Sequence, residues 1–123
     1  MRVLDGEQFL VRIFLGESDR FHYMPLHRAL LERLRCEGFA GATVIHGVAG
    51  FGASSVIHTA GLVELSTDLP VLIEVVDDEA HTERLLPILD EMVTGGALVT
   101  VERVRVVKYA AGRGRSASTS SRT

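Results

Sequence analysis

The sequence predicts an α+β fold in which two helices cover one face of a four-stranded antiparallel sheet. The predicted elements follow the order strand, helix, strand, and this order occurs twice. Each predicted helix is followed by glycine and then by a β-rich segment, so the two halves form a weak internal repeat of βαβ units. Two such units, when interleaved, form the ferredoxin-like βαββαβ sandwich.

The first half begins with a buried strand, followed by an amphipathic helix. Residues 9–15 (FLVRIFL) have the aromatic and β-branched content that is typical of a strand. Pro25 suits the first turn of a helix, and Gly38 ends that helix. The apolar stripe of the helix consists of Leu26, Leu30 and Leu34. Residues 42–48 (ATVIHGV) are the second predicted strand.

The second half contains the strongest strand signal in the chain. Residues 69–76 (LPVLIEVV) are apolar at both parities except at Glu74, which indicates a central strand covered by helices. Asp77 or Asp78 can cap the next helix, and Pro87 should bend that helix or expose an irregular turn. The buried face of this helix is predicted to contain Leu85, Leu89 and Met92.

The last predicted strand, residues 98–109, carries apolar residues on both of its faces. Its apolar parity shifts between Val101 and Val104, which predicts either a bulge or burial on both faces. The other strands also have apolar residues of both parities. The sheet face opposite the helices should therefore be apolar, and an apolar open face predicts an oligomer.

Composition narrows the class of protein. With 123 residues, the chain has the size of one domain. A net charge of −3 gives no electrostatic footprint for nucleic acid, so we expect no nucleic-acid partner. No segment resembles a signal peptide or an apolar membrane span, and we therefore expect a cytoplasmic protein. The single cysteine, Cys36, cannot form a disulfide within one chain.

The chain divides into three parts. Residues 1–7 are predicted to be an N-terminal extension, and residues 8–109 the folded domain. Residues 110–123 contain three arginines, several serines and no acid. This basic, Ser-rich tail cannot bury apolar surface and is predicted to be disordered.

A glycine-rich segment, residues 46–61 (HGVAGFGASSVIHTAG), is the most unusual local feature. Gly47, Gly50 and Gly52 would let backbone amides approach a ligand and hold an anion. The Walker lysine is missing, and a mobile or bulged hairpin connection explains the same glycines. Phe51 is costly to expose unless it packs on a ligand, a partner or a neighbouring subunit.

Catalytic and metal-binding motifs have little support in the sequence. No nucleophile motif and no histidine pair at helical zinc spacing is present, so we predict no catalytic residue, no metal and no cofactor. His46 and His58 flank the glycine-rich segment and could approach each other across a hairpin. Ordinary hydrogen-bonded histidines are the alternative interpretation.

A series of motifs follows the predicted strands in order. They are Gly16-Glu17, residues 38–44 (GFAGATV), residues 46–52 (HGVAGFG) and residues 68–77 (DLPVLIEVVD). This series closely resembles an uncharacterised prokaryotic family of PII-like proteins, and the resemblance covers about residues 8–109. It implies a ferredoxin-like subunit in a homotrimer.

The resemblance also implies a function. PII proteins bind adenine nucleotides in clefts between subunits, and a long loop after their second strand regulates a partner, often a membrane transporter or an enzyme. By this resemblance the chain is a signalling protein rather than an enzyme, and it binds a small anionic metabolite or nucleotide. The glycine-rich segment and the resemblance together give the ligand-binding residues as Thr43, His46, Gly47, Gly50, Phe51, Gly52 and Lys108. Residues 94–97 (TGGA) stand where PII proteins have a GDGK-type turn.

Two other functions remain open. A CutA-like metal-binding or scaffold trimer would use His46 or His58 to ligate a divalent ion. A small ferredoxin-like enzyme would need an acid–base pair, such as His22 or His46 with Glu17. That pair would have to lie at hydrogen-bonding distance in a closed pocket.

Overall fold

The computed structural model describes residues 2–52 and 68–110. Its elements are β1 (Gly6–Gly16), β2 (Arg20–Phe21), β3 (Met24–Pro25), α1 (Leu26–Cys36), β4 (Thr43–His46), β5 (Pro70–Asp77), α2 (Glu79–Met92) and β6 (Leu98–Val106). The long strands form an antiparallel sheet in the order β4-β5-β1-β6. This order is that of two interleaved βαβ units, so the predicted α+β ferredoxin-like fold is confirmed.

The core lies between the helices and one face of the sheet. β1 and β5 pair from Phe9↔Asp77 to Gly16↔Pro70, which places their odd-numbered side chains on the same face. Apart from Phe9, which is partly exposed, these side chains are buried, and Ile13 and Ile73 are 0% exposed. The predicted stripes of both helices pack on this face, as Leu26, Leu30, Leu34, Leu85, Leu89 and Met92. Each such side chain contributes about 1.5–3 kcal/mol when it is removed from water.

Helix α2 begins at the N-cap Asp78, whose carboxylate accepts a hydrogen bond of 2.8 Å from the amide of His81. One of the two predicted caps is thereby confirmed. The helix continues through Pro87 to Met92 without the irregular turn that the proline predicted. The missing N–H would have bonded the carbonyl of Glu83, and Glu83 lies on the exposed side of α2, where water can take its place.

The last strand has neither the predicted bulge nor the alternative, burial on both faces. β6 pairs with β1 in constant register from Gly6↔Val106 to Phe14↔Leu98. The shift in apolar parity has a different cause. In its first half β6 has valines on the side of the helices, and in its second half Val104 and Val106 lie on the opposite side. As an edge strand, β6 is covered incompletely on both faces, so both can carry apolar residues.

We call the sheet surface opposite the helices the open face. Its apolar side chains are Leu10, Phe14, Ile45, Leu72, Val76, Leu98, Val104 and Val106. Arg12 lies among them, with its Nε 3.0 Å from Glu74 Oε2 and its Nη1 2.7 Å from Glu102 Oε1. The open face is therefore apolar around a charged centre, rather than apolar throughout as the strand pattern predicted.

The N-terminal residues pack onto the fold. β1 begins at Gly6, two residues before the predicted start of the domain. Leu4 is only 5% exposed, and Arg2 forms hydrogen bonds with Asp77 and with the carbonyl of Gly38. The sequence did not predict the short hairpin of β2 and β3. Nearly all of the predicted tail, residues 111–123, lies outside the described residues.

In the part of the chain that the structure describes, neither α1 nor α2 is long and apolar enough to cross a bilayer.

Candidate functional site

A cavity of about 480 Å³ opens on the open face, at the end where β4 begins and β6 finishes. Its wall includes Leu10, Gly41, Ala42, Thr43, Lys108 and Tyr109. All four strands of the sheet and the α1–β4 connection therefore contribute to one concave surface. The volume lies within the usual range for sites that bind small molecules and cofactors.

The α1–β4 connection is held in place at Ala40. Its amide donates a hydrogen bond of 2.8 Å to Asp77 Oδ2, and its carbonyl accepts a bond of 3.3 Å from the hydroxyl of Tyr109. Two residues before Ala40, the carbonyl of Gly38 accepts a hydrogen bond of 2.9 Å from the guanidinium of Arg2. These bonds link the connection to β5 and to the residues after β6, so this wall of the cavity is fixed in position.

Asp77 is the buried anchor of this network and is 1% exposed. Arg2 donates to its two oxygens at 2.6 and 3.0 Å, and the amide of Asp78 donates at 2.7 Å. Burial raises the pKa of Asp77, but the bonds from Arg2 and from two backbone amides outweigh it and hold that pKa below its ordinary value. Asp77 is therefore ionised at neutral pH and neutralised by Arg2.

Asp77, Asp78 and His81 carry atoms close enough together to ligate one metal ion. Arg2 already lies in this cluster, because its guanidinium bonds both Asp77 and Asp78. His81 Nδ1 is 2.8 Å from Asp78 Oδ1. The cluster is accounted for as a helix cap with an arginine counter-ion, so it supports no metal site.

The charges around the cavity favour an anion. Lys108 is exposed and lies in the wall, and no described carboxylate lies within ion-pair distance of it. Glu74 is the acidic residue of the wall, and Arg12 neutralises it at 3.0 Å. A negatively charged ligand would thus meet one ammonium group, the hydroxyls of Thr43 and Tyr109, and a paired carboxylate.

The structure separates the predicted site residues into two groups. Thr43 and Lys108 line the cavity together. His46 lies at the far end of β4, three residues from Thr43, which corresponds to about 10 Å along a strand. It pairs with Val71 and so faces the side of the helices. His46 and the glycines that follow it are therefore not part of this cavity.

The first two glycines of the glycine-rich segment pack on Pro70. A Cβ on Gly47 would lie 2.7 Å from Pro70 Cγ, and the amide of Gly47 donates a bond of 2.8 Å to the carbonyl of Pro70. Gly50 has φ +147°, and a Cβ there would lie 3.1 Å from the same ring. Close packing on Pro70 thus accounts for both glycines, and the amide of Gly47 is not available to an anion.

The remaining predicted site residues lie at the end of the first described stretch. Phe51 is 74% exposed, and Gly52 has open space where a side chain would stand. The second part of the glycine-rich segment, which includes His58, lies outside the described residues. Whether His46 and His58 approach each other stays a prediction.

The acid–base pair of the enzyme alternative is not formed. His46 Nδ1 lies 3.8 Å from Glu17 Oε2, which is beyond hydrogen-bonding distance. Both side chains are about half exposed, so the closed pocket is missing as well. His22 lies in the turn between β2 and β3, with a left-handed φ of 56°.

Sequence reasoning missed several residues of the cavity wall, above all Tyr109, Gly41 and Ala42. One signal for them was present. Residues 38–44 are one motif of the series that carries the resemblance to the PII-like family, and this motif includes residues of the α1–β4 connection that shapes the cavity. Because the segment after β4 contains more glycines than the connection before β4, glycine content alone placed the predicted ligand site after β4.

The fold of this chain is similar to that of PII-like proteins of known structure. The structure of CPII from Thiomonas intermedia K12, bound to ADP, AMP and acetate, superposes with a TM-score of 0.60. The sequence identity is 16%, and the match covers 84% of this chain and 91% of that chain. A second structure of CPII, a nitrogen regulatory PII-like protein, contains ADP, AMP and bicarbonate and superposes with a TM-score of 0.57 at 17% identity, over 81% of this chain and 94% of that chain.

The chain belongs to the family DUF190, described as uncharacterized ACR, COG1993, whose model matches residues 8–106. A UPF0166 protein of Aquifex aeolicus (strain VF5) is 36% identical over 107 residues, which cover 87% of this chain and 98% of that protein. A UPF0166 protein of Methanocaldococcus jannaschii is 34% identical over 99 residues, covering 80% of this chain and 91% of that protein. The resemblance to an uncharacterised PII-like family is confirmed.

Proposed function

We propose that this chain is a PII-like regulatory protein that binds a small anionic ligand, with adenine nucleotides as the leading candidates. The observation that carries the proposal is the cavity on the open face. It combines a size suited to a small molecule with Thr43, Lys108 and Tyr109 as polar groups in a largely apolar wall, whose one carboxylate, Glu74, is paired with Arg12.

The chemistry of the wall suits a nucleotide. Lys108 can bind a phosphate as a point charge, and Thr43 can donate a hydrogen bond to a phosphate or ribose oxygen. Leu10, Val76 and the ring of Tyr109 offer apolar surface to a base. The CPII structures, which share this fold, contain ADP and AMP, and this supports adenine nucleotides as the ligands to test first.

The site is proposed to be completed by a second copy of the chain in a homotrimer. The cavity is open on the side of the open face, where Phe14 and Ile45 are also partly exposed. Burial of this apolar surface against an identical subunit would stabilise an oligomer and close the cavity into a cleft. The ligand would then contact two subunits.

Regulation is proposed to act through the glycine-rich segment that begins after β4. Val48 and Phe51 are 93% and 74% exposed, so the described part of this segment offers apolar side chains to a protein partner, a membrane transporter or an enzyme. Ligand binding would change the affinity of the segment for that partner. The substitution Phe51→Asp should then abolish partner binding and leave ligand affinity unchanged.

Calorimetric titration of tag-free protein tests ligand binding. ATP, ADP, AMP and bicarbonate are titrated into the wild type and into Lys108→Ala and Thr43→Val. Loss of a charge-assisted contact should weaken nucleotide binding about 10-fold or more, and loss of the hydroxyl about 3-fold to 10-fold. Arg105→Ala is the matched control, because it removes one positive charge from β6 without touching the cavity.

The nucleotide version of the proposal fails if none of the three nucleotides gives heat or a shift in melting temperature. Equal losses in Lys108→Ala and Arg105→Ala would also contradict it, since a general electrostatic effect would then replace a site. If only bicarbonate binds, the proposal of an anion-binding site stands and the proposal of a nucleotide ligand fails.

A further inference from the structure

The chain leaves β4 at Gly47 and enters β5 at Pro70. We call the place where these two ends of the β4–β5 connection lie beside the end of β1 the base of the connection, and backbone hydrogen bonds hold it together. The amide of Glu17 donates to the carbonyl of Leu69 at 2.8 Å, and the amide of Ser18 donates to Asp68 Oδ1 at 2.9 Å. A Cβ on Gly16 would lie 2.6 Å from the Asp68 carboxylate, so any larger residue there would have to displace that carboxylate. These bonds attach the start of the β1–β2 connection to Asp68 and Leu69, the residues that precede β5.

Three side chains of metal-ligand type meet at this base. His46 ends β4, His27 lies in the first turn of α1, and Glu17 follows β1. The rings of His27 and His46 have their centroids 5.2 Å apart at 89°. Glu17 Oε2 lies 3.8 Å from His46 Nδ1. None of the three belongs to the cavity on the open face.

Two separations in this group are close to those in a zinc site. Two imidazoles bound to one tetrahedral zinc have ring centres about 5 Å apart, and a nitrogen and an oxygen ligand lie about 3.4 Å apart. The ligand atoms of all three side chains do not yet lie within 4.8 Å of one another, so binding one ion requires side-chain rotation. The side chains of His46 and Glu17 are 54% and 46% exposed and have room for it.

His27 supplies an independent observation. Its Nδ1 is buried and has no hydrogen-bond partner among the residues that the structure describes, although a buried polar atom normally has one. Burial first, and the neighbouring His46 second, hold the pKa of His27 below its ordinary value. A bound ion would give His27 Nδ1 the partner that it lacks among the described residues.

We propose that Glu17, His27 and His46 form a binding site for a divalent transition-metal ion, with Zn²⁺ as the reference ion, at the base of the segment between β4 and β5. Imidazole nitrogens with one carboxylate are a ligand set that zinc accepts, and three protein ligands leave a fourth position for water or a ligand. The site is separate from the proposed nucleotide cavity.

The ion would join three elements. His46 is the last residue of β4 before the chain enters the glycine-rich segment, Glu17 is bonded to the returning chain, and His27 is on α1. Binding would therefore fix the exit from β4 relative to α1. An ion that binds only the folded chain also raises the melting temperature, in proportion to its affinity and concentration.

Zinc binding is measured by calorimetry at pH 7.5 on tag-free protein that has been treated with a chelator. Co²⁺ absorption in the visible range provides a second readout, because tetrahedral coordination gives intense bands. We expect one ion per chain and an increase in melting temperature on addition of zinc. Glu17→Gln, His27→Gln and His46→Ala should each weaken zinc binding at least about 10-fold, because even loss of a group behind a ligand costs that much.

His22→Asn is the matched control. It removes a histidine outside the cluster, and asparagine tolerates the left-handed φ of 56° at that position. Zinc affinity should be unchanged in this variant. No binding by the wild type, or a loss confined to fewer than two of the three ligand variants, overturns the proposal. So does an equal loss in His22→Asn.

Discussion

Arg2 donates two hydrogen bonds to the buried carboxylate of Asp77, at 2.6 and 3.0 Å, and so joins the start of the chain to the end of β5. Asp77 also accepts from the amide of Ala40, and Ala40 accepts from Tyr109. The wall of the candidate site is thus built on an ion pair between residues 75 positions apart. Sequence patterns of helix and strand give no indication of this pair.

Removing Arg2 should destabilise the protein. Arg2→Ala leaves a carboxylate that is 1% exposed without its counter-ion, and loss of a hydrogen-bonded charge partner costs about 1–3 kcal/mol. The cost stays near that range because Arg2 is itself 34% exposed. Urea unfolding at pH 7 measures the free energy. Arg28→Ala, at an exposed arginine of α1, is the control and should change it by less than about 0.5 kcal/mol.

The same carboxylate should make stability depend on acid pH. The pKa of Asp77 is lowered in the folded chain, whereas the unfolded value is about 3.9. The stabilisation is therefore fully present above about pH 4 and is lost as the pH falls through the folded pKa. Unfolding of wild type and Asp77→Asn is compared from pH 7 to pH 2.5. Their difference in stability should narrow below about pH 4, and a constant difference would contradict the assignment.

The fold could be predicted because its signals are local and repeated. Leu26, Leu30 and Leu34 mark a helix by spacing alone, and all three are buried as expected. The run of residues 69–76 indicates a central strand by composition alone, and the observed strand is Pro70–Asp77. The prediction failed where neighbours decide. The apolar pattern of β6 indicated a bulge or burial on both faces, but the strand pairs regularly with β1 and none of its residues is fully buried.

The candidate site could be predicted only in part, because it is formed by residues distant in sequence. Thr43 and Lys108 come together through the sheet order, and the resemblance to PII-like proteins pointed to both. Gly47 and Gly50 looked like an anion cradle, since glycine spacing is the same whether the neighbour is a phosphate or a proline ring. Pro70, which both glycines contact, is about twenty residues further along the chain, and no sequence pattern indicates that contact.

The contact between Gly47 and Pro70 should be intolerant of a single methyl group. In Gly47→Ala the new Cβ would lie 2.7 Å from Pro70 Cγ, and a proline ring cannot rotate away. Overpacking of this kind costs about 1–3 kcal/mol. Gly52→Ala, where a Cβ meets open space, is the matched control and should be nearly neutral. Thermal unfolding of both variants measures the difference, and equal melting temperatures would show that the segment is not held against Pro70.

The proposed homotrimer makes the open face the surface that must stay apolar. Phe14 is 37% exposed on that face, with Leu72 and Leu98 as its cross-strand neighbours. Phe14→Asp would bury a charge in a subunit interface, at a cost that should exceed the stability of the assembly. Light scattering at low micromolar concentration should give three times the chain mass for the wild type and the mass of one chain for the variant.

Leu86→Asp provides the control for that experiment. Leu86 is 49% exposed on α2, on the other side of the sheet from the open face, so the same change in polarity should leave the trimer intact. A wild type that stays a single chain would contradict the trimer. A trimer that survives Phe14→Asp but dissociates in Leu86→Asp would move the interface to the helices, and the cavity at Thr43 and Lys108 would then lie outside any cleft between subunits.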